Sequence, residues 1–177
     1  LMDAGCEDGY VSSARVGVQS KSSLSSSISV RRSWVPAGAS PSPISSTCSS
    51  EAICVRTGEM RHYRAGDRQR YAVGDQFRLP GLSVHSIEWL HRHDVAGAFV
   101  DSYAYEAFPP TMKDWSDCLA VHMIQLRDMG LIQGQNWDFE DLAVACAQEE
   151  RWSFLLVATP EPLVGASSAP VSPVATF

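Results

Sequence analysis

Serine dominates the start of this chain and limits where a core can form. Sixteen of the first fifty residues are serine. Ser20–Ser29 is nearly a serine tract, and Pro36–Ser50 is rich in Pro, Ser, Gly and Ala. Such a stretch buries too little apolar surface to offset the entropy of ordering it. Residues 1–50 are therefore expected to be a disordered or aberrant segment. A phosphorylated tail, a linker, and a gene-model artefact such as a frame error are the alternative readings. The abrupt change of composition near Glu51 favours the artefact. Ser12–Ser33 has the Ser and Arg content of a transit peptide, but its serines are not spaced amphipathically.

The rest of the chain has the make-up of a packed domain. Of the 177 residues, 45% are hydrophobic and 19% charged, ordinary for a globular protein with one core. A net charge of −6 leaves no basic surplus for phosphates, so nucleic acid is not an expected partner. The longest apolar runs, such as Phe154–Ala158, are too short to span a bilayer, and no secretory signal pattern is visible. A cytoplasmic protein is the expectation. The five cysteines, an odd number without a CxxC pair, read as reduced thiols rather than a zinc ribbon or disulfide framework. Cys118 and Cys146 fall in helical patterns and read as small core residues.

From Glu51 onward, strand and helix signals alternate, which predicts an α/β organisation. Ala52–Arg56 is β-prone and Thr57-Gly58 ends it. A polar loop rich in Arg, Gly and Asp is expected up to Pro80. Ser83 can cap a helix over Val84–Arg92, with Val84, Ile87, Leu90 and His91 at helical spacing. Val95–Val100 reads as a strand ending at Asp101, followed by a long loop punctuated by Pro109 and Pro110. Trp115–Met129 is predicted as a helix with Leu119, Met123 and Leu126 on its inward face and Gly130 as its stop. Asp138 is placed to cap a third helix striped by Phe139, Leu142, Ala143 and Cys146. Trp152–Thr159 reads as the strongest strand; its run Phe154–Ala158 is apolar on both faces, so it should be central in a sheet. A Gly/Ser/Pro turn and a short closing strand follow, to Phe177.

Several of these segments, taken in order, resemble the cyclase family, whose known members include metal-dependent kynurenine formamidases and isatin hydrolases. Val55-Arg56-Thr57-Gly58-Glu59-Met60-Arg61 is similar to its "RTGxMR" turn. Pro80-Gly81-Leu82, Trp89-Leu90 and Asp94-Val95-Ala96 are similar to its "PGL…WL…DVA" unit. His122, Gly130 and Asn136-Trp137-Asp138-Phe139-Glu140 fit its "H…G…(E/D)N-x-D-x-E" unit. Arg151-Trp152-Ser153-Phe154 and Gly165–Val171 complete the likeness, which covers residues 51–177. The resemblance implies the C-terminal portion of a swivelling β/β/α domain. It implies hydrolysis of a small-molecule amide, such as N-formylkynurenine to kynurenine in tryptophan breakdown, and assembly into dimers or larger homo-oligomers. In the family a zinc or manganese ion is held by an N-terminal "HxGTHxDxxxH" motif together with a later His and an acidic residue.

That motif does not occur in these residues, so an inactive or incomplete chain that binds no metal is expected, without assigned catalytic or cofactor-binding residues. A non-catalytic binding or interaction module is the alternative. His122 matches the family's later metal ligand; on an apolar helix face, and without the motif's other ligands, the reading as a hydrogen-bonded core histidine is the favoured one. Gln135 stands at the position of the family's acidic ligand, where a neutral amide contributes no charge. His91, His93 and Asp94 look like a cluster, but residues two apart on a helix diverge, and a helix C-terminus explains them better. His62 lies among Arg61, Arg64, Arg68 and Arg70, an anion site or a solvated loop. Gly165–Pro170 lacks the Lys and following helix of a phosphate loop, and reads as a turn passing close to neighbouring strands.

Overall fold

The fold is described from a computed structural model, which covers residues 51–109 and 119–177 together with the main chain of 14–15, 17–19 and 29–30. In chain order the strands are β1 (Ala14–Arg15), β2 (Gly17–Gln19), β3 (Ser29–Val30), β4 (Ala52–Val55), β5 (Gly97–Val100), β6 (Ile132–Gly134), β7 (Trp137–Asp138), β8 (Phe154–Pro160) and β9 (Val171–Thr176). The helices are α1 (Met60–Arg64), α2 (Arg68–Val73), α3 (His85–Arg92), α4 (Ala120–His122) and α5 (Glu140–Gln148). A π-helical segment, Met123–Asp128, continues α4 directly.

The parallel sheet β4-β5-β6 is the middle layer. All four residues of β5 are buried. Because side chains alternate across a strand, β5 feeds two cores. Ala98 and Val100 pack with Leu82, Leu90, Tyr105, Val121 and Leu131, under α3 and α4. Phe99 points the other way, into Trp137, Phe139, Leu142, Cys146, Phe154, Leu156, Ala175 and Phe177. That second core joins the middle sheet to α5 and to the four-stranded sheet β2-β9-β8-β3. Helices, sheet and sheet therefore stack in layers, in keeping with the expected α/β class. Phe99 and Trp137 stack at 4.2 Å and 15°, worth roughly 0.5–1.5 kcal/mol beyond their buried area.

Ion pairs fasten β4 and α1 to the start of α5. Arg56 grips Glu140 with two bonds of 2.8 Å. Arg64 reaches Asp138 at 2.7 Å and Asp141 at 3.1 Å. Asp101, fully buried, accepts from Thr57 N at 2.7 Å, Thr57 Oγ1 at 2.6 Å and Gly58 N at 2.8 Å. The Thr57-Gly58 turn is thus built around the residue that ends β5.

Several expectations need correction. The polar stretch before Pro80 contains α1 and α2, and Asp67 caps α2 by accepting from Arg70 N. The α3 helix forms as expected, but Ser83 offers its carbonyl, to Ser86, rather than a side-chain cap. Asp138 belongs to β7, yet its Oδ1 accepts from Glu140 N at 3.2 Å and so caps α5 from one residue further back. β8 lies between β9 and β3, but its burial alternates and Val157 is 48% exposed; β5 is the strand covered on both faces. The expectation of disorder for 1–50 falls mostly outside the described residues. What is described there forms strands: β1 on β7, β2 on β9, and β3 on β8. Strand pairing uses main-chain groups, which a serine-rich sequence supplies as well as any other. The N-terminal part of the Trp115–Met129 helix and Cys118 lie outside the described residues. Among the described residues no helix is long and apolar enough to cross a membrane.

Candidate functional site

Pro80-Gly81-Leu82 and the segment around Glu106 run side by side. Leu82 N donates to Tyr105 O, and Ala107 N donates to Leu82 O. Gly81 allows this approach, since a Cβ there would lie 2.5 Å from Tyr105 O and from Glu106 C. The result delivers the Glu106 carboxylate, 3% exposed, to the first turn of α4. A buried carboxylate needs donors, and Glu106 has two from consecutive residues. Its Oε2 accepts from Val121 N at 3.1 Å, and its Oε1 lies 2.7 Å from His122 Nδ1.

His122 is half-buried, with its side chain 27% exposed. Its ring leans on Tyr105 at 5.1 Å, and its carbonyl accepts from Gln133 Nε2 at 3.4 Å. A carboxylate on Nδ1 fixes which nitrogen carries the proton and turns Nε2 outward. Gln135 Oε1 stands 3.4 Å from that Nε2. The two residues singled out by the family resemblance, His122 and Gln135, are therefore brought together.

The phase of the helix departs from expectation. Ala120, Val121 and Gln125 face the core, whereas Leu119, Met123 and Leu126 are 52%, 40% and 56% exposed. The three stripe residues still share one face, but it is the outward one. Gln125, fully buried, is satisfied by the Tyr105 hydroxyl and by Ser86.

The other candidates do not converge. His93 Nδ1 is 2.7 Å from Trp89 O and its ring stacks on Trp89 at 4.2 Å, while His91 is exposed at the end of α3. Asp94 takes a positive φ of 48° in the turn that follows. Around His62, Arg64 is committed to Asp138 and Asp141, and Arg70 to Glu59 at 3.3 Å. Gly165 has φ +80° with nothing within 4 Å of a built Cβ, so its glycine serves the turn and not a close approach. Glu106 escaped the sequence reading. Its one local signal is an acidic residue inside the otherwise apolar run Tyr105–Phe108.

A stable metal centre takes about three or four protein ligands. His122 offers one imidazole and Gln135 an uncharged amide. Among the described residues no group of three His, Cys, Asp or Glu side chains is placed to hold a metal ion. The described residues thus do not make up a metal site by themselves, although the Glu106–His122 pairing is of the kind that orients a ligating histidine.

No known family profile matches the chain, and no curated protein matches it. Among solved structures, the crystal structure of a novel cyclase superposes with a TM-score of 0.60 and 29% sequence identity. The likeness covers 72% of this chain and 40% of that one, so the chain spans well under half the length of the cyclase it matches. Together with the layered fold, a likeness of 29% identity reaches beyond architecture and supports a cyclase-like family for this chain.

Proposed function

We propose that this chain is related to the metal-dependent amide hydrolases of the arylformamidase type, and that its 177 residues alone do not hydrolyse amides. The observation that carries the relationship is the likeness of 29% identity to a solved cyclase, and the buried Glu106 carboxylate, which sets His122 with Nε2 outward, is in keeping with it. The substrate class is a small amide such as N-formylkynurenine, whose cleavage releases formate. In such enzymes a zinc or manganese ion supplies an activated water. No step through a metal is assigned to the residues here, because His122 and Gln135 are too few and one is uncharged. A second reading, a non-catalytic binding module, draws its support from Gln135, the neutral residue beside Nε2.

Formate release from N-formylkynurenine, with zinc or manganese added, tests both readings. The chain alone should show none, and Gln135→Glu alone should not create it. Adding a homologous polypeptide that carries the "HxGTHxDxxxH" motif should produce turnover that requires His122. Tight association of that polypeptide without turnover would favour the binding module. Metal-dependent turnover by the 177-residue chain itself, lost on His122→Ala, would overturn the proposal.

A further inference from the structure

We infer that Gln135 closes the outward nitrogen of His122, so that Glu106, His122 and Gln135 form one hydrogen-bonded chain where a metal ligand pair would otherwise stand. An ionised carboxylate only accepts, so the 2.7 Å contact places a proton on Nδ1, donated to Glu106 Oε1. Nε2 is then either a lone pair, in the neutral ring, or an N–H, in the charged ring. A primary amide can meet both. Its oxygen accepts from Nε2–H as placed, at 3.4 Å, and a half-turn about its last torsion offers N–H to the lone pair instead. A carboxylate at 135 could satisfy only the charged ring. Beside the neutral ring it would leave a lone pair and a negative charge directed at one point, which suits a divalent cation.

The main chain holds residue 135 in place from both sides. Gly134 lies beneath the Phe99–Trp137 stack, where a Cβ would come within 2.6 Å of both rings. Asn136, at φ 62°, donates its N–H to Ser102 O at 3.2 Å and accepts the Tyr71 hydroxyl on Oδ1 at 2.6 Å. Gln135 is thus fixed at its backbone and free only in its side chain.

The inference deepens the reading of the site given above, but its test uses no amide substrate, so either can fail without the other. Diethyl pyrocarbonate acylates an imidazole nitrogen whose lone pair is free, and peptide mass mapping reports each histidine separately. In the full chain, His122 should react more slowly than the exposed His91. Gln135→Ala should raise the His122 rate relative to His91 by roughly three- to tenfold, the worth of one modest hydrogen bond. With zinc alone added, Gln135→Glu should protect His122 at lower zinc than either Gln135→Ala or the parent. An unchanged His122-to-His91 ratio in Gln135→Ala, or equal zinc protection with Gln and Glu at 135, would overturn the inference. Gln135 is exposed, so both variants keep the fold, which circular dichroism checks.

Discussion

Glu106 Oε1 lies 2.7 Å from His122 Nδ1, while the other oxygen of the same carboxylate accepts the main-chain N–H of Val121. One buried side chain thereby sets both the start of α4 and the direction of the candidate imidazole. Glu106→Ala leaves the buried Val121 N–H and the half-buried His122 Nδ1–H without their acceptor and should lower stability by about 1–3 kcal/mol. Glu106→Gln keeps the shape but has a single acceptor oxygen, so it should cost less, about 0.5–2 kcal/mol. Urea unfolding of both variants checks the order. A chain that loses nothing with Ala at 106 would show that the carboxylate is not seated against α4.

Gly81→Ala should destabilise the chain by about 1–3 kcal/mol, because the added methyl has only main chain to push against. Its collision is with Tyr105 O and Glu106 C, so the substitution should also disturb the imidazole. Ring signals of His122 in a heteronuclear NMR spectrum are the readout. Gly130→Ala is the contrast, since nothing lies within 4 Å of its built Cβ and only its φ of +69° opposes the change.

Asp101→Asn should be among the most damaging single changes, at roughly 3 kcal/mol, since one of its two oxygens becomes a donor facing a donor. The three contacts from Thr57 and Gly58 are all 2.8 Å or shorter. Thermal unfolding of this variant is the measurement. A change below about 0.5 kcal/mol, typical of surface sites, would contradict the burial.

Leu126→Gln should change stability by less than about 0.5 kcal/mol, although an apolar stripe at α-helical spacing would make Leu126 a core residue. Its 56% exposure is the reason. Val121→Ala, one turn earlier and 3% exposed, should cost about 1–3 kcal/mol. Equal losses at the two positions would return the Leu119, Met123 and Leu126 stripe to the core.

Stability should fall as pH rises above about 9. Burial pushes the Cys54 thiol up to about 12, and the neighbouring Cys146 adds to the shift. Burial also raises the Tyr71 and Tyr105 hydroxyls. In the unfolded chain the thiol deprotonates near its ordinary 9.0. Between that value and about 12 the unfolded chain therefore holds fewer protons than the folded one, and stability declines with pH. Urea unfolding from about pH 8 to about pH 11 should show this decline. Cys54→Ala should flatten it, by at most about 1.4 kcal/mol per pH unit, the slope of one proton, at the upper end of that range. An identical slope in the two chains would mean that Cys54 titrates as an exposed thiol.

Much of the order of elements after Glu51 was legible in the residues themselves. The β4, α3, β5, α5, β8 and β9 elements arise where apolar spacing, turn residues and short β-prone runs act over a few neighbours. His122 and Gln135, thirteen residues apart, were singled out by the family resemblance alone, and the structure sets them 3.4 Å apart. Tertiary structure decided the rest. Glu106 meets His122 only because Gly81 lets two distant main chains touch, a contact with no local signature. The helix presents its Leu119, Met123 and Leu126 face outward because the opposite face packs Val121 against Tyr105 and bonds Gln125 to its hydroxyl, contacts that apolar spacing does not reveal. The strands at 14–15, 17–19 and 29–30 pair through backbone groups that every residue carries, so side-chain composition could not foretell them.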